Sequence, residues 1–303
     1  MSNITTVVAP GTETNAGVPN PDGGITFELA ADNTSQRIAG STGTDNVKTG
    51  SGNDTIATGT GNDDVDAGGG DDVVDAGGGD DVVLGGRGND NVKAGTGDDD
   101  VDGGKGDDTV DGGDGDDFIL GGRGNDLLVG GNNNDDQNGN RDNDTVDGGS
   151  GDDTVDGGKG NDSLIGGSGN DLVSGSRGND TLTGGSGDDT FFFYFNEDGS
   201  YGVDTLTDFG VGNDKIGLAV SAPAGGTFTA ITGTVGDALS ADQFAVISDF
   251  AANGGDAASQ AIVYDPTDGS IYYNPTTGAG DAVKIAELTN TPETLAASDF
   301  EIF

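Results

Sequence analysis

From Gly40 to Phe192 a nine-residue unit recurs seventeen times in one frame, with no insertion or deletion. It opens GSTGTDNVK, TGSGNDTIA, TGTGNDDVD, AGGGDDVVD and closes GGSGDDTFF. A period this short cannot hold a helix hairpin, so a unit buries its apolar side only by stacking on its neighbours. Position 6 is Asp in all seventeen units, position 8 is apolar in sixteen, and position 4 is Gly in fifteen. A comparison within one chain reports what each turn physically requires.

Positions 7–9 read x-apolar-x. In a strand, successive side chains point to opposite faces, so one aliphatic residue goes in and its two neighbours face out. Positions 1–6 are Gly-rich and are expected to be turn. Turn, triplet, turn, triplet describes an all-β parallel coil with two short strands per 18 residues. Seventeen units make roughly eight coils, a rod on the order of 40 Å at ~4.8 Å per coil. No 3.6-residue periodicity supports a helix.

Such a coil has a thin core, and the composition makes folding harder still. The 303 residues include 61 Gly, 55 Asp or Glu and only 11 Lys or Arg, a formal net charge of −44. Low hydrophobicity with high net charge marks a chain that cannot offset its ordering entropy unaided. Either it is disordered or something cationic folds it. A chain this acidic is repelled by nucleic acid and by anionic membrane surfaces. It has no Cys, His or Trp, which excludes disulfides and thiolate or imidazole metal sites. No apolar run reaches transmembrane length, and the N-terminus lacks the pattern of a cleaved signal peptide.

The invariant Asp needs a reason, since stacked carboxylates repel. Turns on the same side lie two units apart, so Asp45 stacks near Asp63 and Asp54 near Asp72. Hard divalent cations with oxygen ligands fit between them, and two carboxylates plus turn carbonyls make a calcium-like set. Residues 40–192 hold 35 Asp, no Glu and 8 Lys or Arg, a net of −27. Pairing each unit with the second unit after it allows at most 15 sites, and that many dications would nearly neutralise the array.

The unit resembles the calcium-binding nonapeptide of the RTX, or hemolysin-type, repeat family. The stretches VDTLTDFGVGNDKIGLA, YDPTDGSIYYNP and SDFEIF also resemble the family's C-terminal flank. The resemblance implies a right-handed β-solenoid (a parallel β-roll) with about 10–15 bound Ca²⁺. It also implies export by type I secretion machinery through an uncleaved C-terminal signal, to an extracellular location. Carried over, the position-6 residues become ligand candidates: Asp45, Asp54, Asp63, Asp72, Asp81, Asp90, Asp99, Asp108, Asp117, Asp126, Asp135, Asp144, Asp153, Asp162, Asp171, Asp180 and Asp189.

The expected organisation is a flexible leader over 1–23, capping strands over 24–39, the roll over 40–192, and an aromatic-rich β cap carrying the secretion signal over 193–303. The cap holds degenerate turns ending at Asp204 and Asp214 and a hairpin around Asp265–Ser270. No enzyme is expected, since only 39 residues precede the repeats, and neither a zinc-protease motif nor a G-x-S-x-G elbow occurs. The alternatives are a surface adhesin or ice-binding coil, or an extracellular carbohydrate-active enzyme with an acid pair in the C-terminal region. Position 3 runs Thr, Ser, Thr, Gly, Gly, Arg, Thr, Lys, Asp, Arg, which is not the regular Thr/Asn ladder ice binding would need. Outward apolar residues Val82, Leu84, Phe118, Leu120, Leu127 and Val129 are expected to pack against the C-terminal segment, with a partner-binding patch as the other reading.

One stretch looks broken: GGNNNDDQNGNRDNDTVD, 130–147. The frame holds across it. Asn133 and Asp142 replace the position-4 glycines, which predicts a left-handed backbone there. Gln137 violates the core rule and is expected to loosen its coil or to bond its amide inside.

Overall fold

The computed structural model of the protein describes residues 18–19, 23–28, 34–194, 201–219, 237–240, 243–246, 261–273, 282–290 and 295–302. Most of the expected leader, 1–23, lies outside these residues. The described residues divide into two compact units, Met1–Val155 and Asp156–Phe303. Both are all-β, with parallel strands stacked at 18-residue spacing into a β-solenoid.

In the first unit, alternate strands go to alternate sheets. One sheet orders the strands Ile25–Glu28, Asn46–Lys48, Asp64–Asp66, Val82–Arg87, Asp100–Lys105, Phe118–Arg123 and Asp136–Asn138. The other orders Arg37–Ser41, Thr55–Thr60, Val73–Gly78, Asn91–Thr96, Thr109–Asp114, Leu127–Asn132 and Thr145–Ser150. Within the repeats, partners sit 18 residues apart in register, as in Val83↔Val101↔Ile119, whereas Ile25–Glu28 pairs with Asn46–Lys48 at an offset of 20, as in Phe27↔Val47. Position 8 forms the core: Val47, Val65, Val83, Val101 and Ile119 on one side, Ile56, Val74, Val92, Val110 and Leu128 on the other. Phe27 and Ile38 fill the same place in strands that precede the repeats.

Most of these strands are longer than the expected triplets. They run six residues, through positions 7–9 and on through positions 1–3 of the next unit, as in Val82–Arg87. Only positions 4–6 remain as turn. The glycines do not prevent this, because a parallel neighbour in register supplies the ladder bonds, as in Gly86↔Gly104↔Gly122. The glycines at position 2 make the corner: Gly95 has φ +124, and a β-carbon there would sit 2.1 Å from the Gly77 carbonyl oxygen.

Position 4 behaves as the sequence predicts. From Gly61 onward its glycines carry positive φ, Gly97 at +122 among them, and Asn133 and Asp142 both stand at +78. The replacements have moved into the left-handed well that short polar side chains tolerate. Position 2 carries the same demand, with Asn140 at +73 and Ser176 at +63. Gln137 does not loosen its coil. It is fully buried and pairs in register with Ile119. Its Nε2 donates to the Asp147 carbonyl at 3.3 Å, while its Oε1 is buried without a partner. Of the outward side chains, Val82, Leu84, Phe118 and Leu127 are 41–42% exposed, and Leu120 and Val129 are half-buried.

The second unit continues the scheme with strands Ser163–Ser168 and Thr181–Ser186 in one sheet and Leu172–Ser174 and Thr190–Phe193 in the other. The ladder then extends past the repeats: Asp204–Leu206 stacks on Thr181–Ser186, and Lys215–Leu218 on Thr190–Phe193. Val283–Leu288 and Phe300–Ile302 add one more parallel strand to each sheet. The expected hairpin is present, Ile262–Asp265 against Ser270–Tyr273, with Asp265↔Ser270 at its turn. It extends one sheet by antiparallel pairing with Val283–Leu288, and Phe244–Val246 pairs beyond it as the edge strand. Tyr264, Tyr273 and Phe300 are buried there, where the narrow aliphatic column gives way to aromatic packing.

Two substitutions test these points. Gly97→Ala forces a β-carbon to 2.3 Å from the Gly79 carbonyl oxygen at a φ that L-residues avoid, and should cost more than ~2 kcal/mol. Gln137→Leu removes a buried unpaired carbonyl and should stabilise the folded protein by about 1–3 kcal/mol. Thermal melts in saturating calcium read both.

Candidate metal centre

All seventeen position-6 aspartates are buried, each at most 3% exposed. Packing alone does not explain that, because an ionised carboxylate out of water is costly unless paired. Half of the explanation is local. Along the ladder, the carboxylate Oδ1 accepts a hydrogen bond from the position-6 backbone N–H one coil earlier. Asp72 N–H donates to Asp90 Oδ1, Asp90 N–H to Asp108 Oδ1, and Asp108 N–H to Asp126 Oδ1, all at 2.8 Å. The other edge runs likewise through Asp63, Asp81, Asp99, Asp117, Asp135 and Asp153. In the second unit Asp162 N–H donates to Asp180 Oδ1 and Asp171 N–H to Asp189 Oδ1.

The second oxygen is the other half. In Asp63, Asp72, Asp81, Asp90, Asp99, Asp108, Asp117, Asp126, Asp135, Asp180 and Asp189, Oδ2 is buried with no hydrogen-bond partner. It is directed at the α-carbon of position 1 of its own unit: a β-carbon on Gly103 would lie 2.9 Å from Asp108 Oδ2, and one on Gly112 2.4 Å from Asp117 Oδ2. Position 1 is Gly in twelve units, while Thr49, Thr58, Ala67, Ala76 and Ala94 show that a β-carbon is accommodated in the other five. The carbonyls of positions 2 and 4 aim at the same-edge turn above, as Gly77 O does at Gly95 and Gly79 O at Gly97. Same-edge turns therefore bring carboxylate and carbonyl oxygens near one another. Among the described residues no three acidic side chains converge, so a cation between two turns would need backbone oxygens beside the two carboxylates. That donor set fits a hard cation of calcium's size and flexibility better than magnesium, which wants near-ideal octahedral geometry and keeps its water.

The two ends of the ladder differ from its middle. Asp45 has both oxygens taken: Ile25 N–H and the Ser41 hydroxyl donate to Oδ1, and Ser41 N–H to Oδ2. The residues below Asp45 and Asp54 are Ile25 and Gln36, which bring no charge. At the far end the pattern passes to Asp204 and Asp214, which accept from Asp180 N–H and Asp189 N–H at 3.1 Å. Asp214 Oδ2 is also bonded, by Gly210 N–H at 2.6 Å. Asp204 and Asp214 thus hold the position-6 role in coils interrupted by inserts, which hide the period from a fixed nine-residue frame.

Position 5 is a second functional row that the invariant Asp eclipses in the sequence. It is Asn or Asp in sixteen of seventeen units, Thr44 being the exception. Its Oδ1 accepts from the position-5 N–H one coil later, as Asp71 does from Asn89 at 2.9 Å and Asp107 from Asn125 at 2.8 Å. Position 5 reaches forward along the stack and position 6 reaches back, so each turn is clamped from both sides.

Burial sets the protonation of the metal-free ladder. It raises Asp72, Asp99, Asp108 and Asp135 to about 7, and Asp81, Asp90, Asp117 and Asp126 to about 6, with neighbouring carboxylates adding to the effect. Burial holds Asp204 high as well, reinforced by the charge of Asp180.

A parallel roll with a buried carboxylate at every turn and carbonyls aimed between turns defines a calcium-type solenoid. The chain belongs to the RTX calcium-binding nonapeptide repeat family, whose profile matches in overlapping stretches from residue 39 to residue 194. No curated protein matches the chain significantly.

Two outcomes follow for the ladder. A carboxyl whose value rises on folding favours the folded state while protonated, and that contribution is lost as pH climbs through the folded value. In excess chelator, β-structure should therefore grow as pH falls from 8 through 6 toward 4, measured by circular dichroism. Asp108→Asn keeps an Oδ1 acceptor but removes a charge, and should raise the calcium concentration at half-folding without changing the spectrum of the saturated form.

Proposed function

We propose that this calcium-binding repeat protein is a secreted, non-enzymatic one that folds on meeting calcium outside the cell and serves a structural, surface or interaction role. The row of buried Oδ2 atoms without a protein partner supports this reading most directly. At micromolar calcium or below, those carboxylates and the overall charge of −44 hold the chain open. At millimolar calcium, cations that bind only the folded form drive folding. Each site contributes RT ln(1 + [Ca]/Kd), about 1.4 kcal/mol at a tenfold excess over Kd, and the sites add along the stack. Dissociation constants of roughly 10⁻⁴–10⁻³ M, usual for extracellular modules, suffice.

Such a switch suits passage through a type I exporter, which takes an unfolded chain by its C-terminus, and the family resemblance of the C-terminal stretches supports that route. Among the described residues no helix is long and apolar enough to cross a membrane.

The test is a calcium titration of the full chain. Far-UV circular dichroism should change from coil in chelator to β in millimolar calcium, cooperatively, with about 10–15 ions bound at saturation by equilibrium dialysis. The same β-spectrum in chelator at pH 8 would sink the reading.

A further inference from the structure

Position 3 shows no order when read along the chain, but the fold sorts it. Because successive turns alternate between the two edges of the roll, every second unit shares an edge. On one edge of the first unit, position 3 is Arg87, Lys105, Arg123 and Arg141 in consecutive coils. Arg87, Lys105 and Arg123 stand in register across adjacent strands. Lys159 and Arg177 continue the position in the second unit and pair with each other. These six are more than half of the 11 basic residues in the chain. All are exposed, and none forms an ion pair among the described residues. Cations stacked at ~4.8 Å repel, so the row costs stability unless something anionic lies against it.

The opposite edge of the same coils has the opposite sign. Its exposed turn residues include Asp80, Asp98, Asp114 and Asp116, with no Lys or Arg at positions 2–5 of those turns. The cationic edge carries fewer acids, Asp107 and Asp142 in its four turns. The acids opposite are already held in place: Asp80 Oδ1 accepts from Asp98 N–H, Asp98 Oδ1 from Asp116 N–H, and Asp114 Oδ1 from the Asn132 amide. Lys105, Arg123 and Arg141 also wall an open groove of about 470 Å³ whose lining includes Leu84 and Leu120, with Asp102 between them in register and Asp66 beside them.

We propose that the cationic edge docks the acidic edge of a second copy of this chain, joining rolls side by side. Two edges built on one 18-residue repeat have the same axial spacing, so their charges meet coil for coil over the whole contact. Single surface ion pairs contribute little, but a row of preorganised pairs acts as a network. The contact is heterologous, with different patches on the two partners, and leaves a free edge of each sign at the ends, so it propagates instead of closing. It rests on the calcium-folded roll, since only that state forms the edges and neutralises the carboxylates beneath them.

Internal precedent supplies variants that should fold. Position 3 accepts Asp at Asp114 and Arg at Arg123, so each edge can carry the other's charge. The first variant, R87D/K105D/R123D, makes both edges acidic; the second, T96K/D114K/N132K, adds cations to the other edge. In millimolar calcium at low ionic strength, sedimentation velocity should show the wild type growing to assemblies of several chains. These should dissociate near 1 M salt, where the screening length falls to ~3 Å. Each variant alone should be monomeric, and an equimolar mixture should assemble again. A wild type that stays monomeric while folded overturns the proposal. So does a wild type monomer whose cationic edge is instead occupied, with heparin-coupled resin retaining the wild type and not the first variant. Failure of the mixture to assemble overturns the pairing of edges. Circular dichroism of the same samples reports the calcium-induced fold separately, which distinguishes loss of association from failure of the fold.

Discussion

The structure depends on one unusual bond, repeated. A buried aspartate gives one carboxylate oxygen to the backbone N–H of the coil before it and keeps the other oxygen bare. The first oxygen sets the stacking of the turns. The second makes that stacking unfavourable without a cation. Fold and ligand therefore cannot be separated: the group that positions each turn is the group that demands the metal. The demand fades at the ends, where Ser41, Ile25 and Gly210 supply the donors that the middle of the ladder lacks.

Around this bond the remaining positions serve a small space. Position 1 is Gly in most units, with a carboxylate oxygen directed at it. Positions 2 and 4 take positive φ because the carbonyls of the turn below lie where side chains would start. Position 8 fills a core one aliphatic residue wide. The stretch at 130–147 shows how the demands rank. Asn133 and Asp142 satisfy the backbone requirement with a different side chain, and Gln137 is tolerated inside at the cost of an unpaired carbonyl. No unit gives up its carboxylate. A chain with so thin a core can lose an aliphatic contact, while the carboxylate is kept in every unit.

Outside the metal ladder, the roll presents rows. Whatever occupies one position of the repeat is displayed every second unit along an edge, at strand spacing. Such an object carries charge as a pattern, and the two patterns here have opposite sign. In a protein otherwise so acidic, the placing of six basic residues at a single position of alternate units is a property of the surface, since none of them contributes to the core or to the metal ladder.

The sequence alone was enough for the period, the parallel coil, the invariant ligand row and the need for a hard cation, because each is a statement about one repeating unit and its nearest neighbours. It also showed that position 4 turns left-handed, since Asn and Asp replace Gly there for a conformational reason. Three matters were decided only in three dimensions. Strands run through the Gly-rich positions 1–3, because a parallel neighbour satisfies a backbone whose side chains could not hold a strand by themselves. Asp204 and Asp214, which the sequence already marks as the ends of degenerate turns, accept the same ladder bonds as the repeats, because stacking tolerates inserts that break a linear frame. The division of position 3 into a cationic and a neutral-to-acidic row arises because the coil sends alternate turns to opposite edges, and neighbours along the chain are not neighbours on the surface.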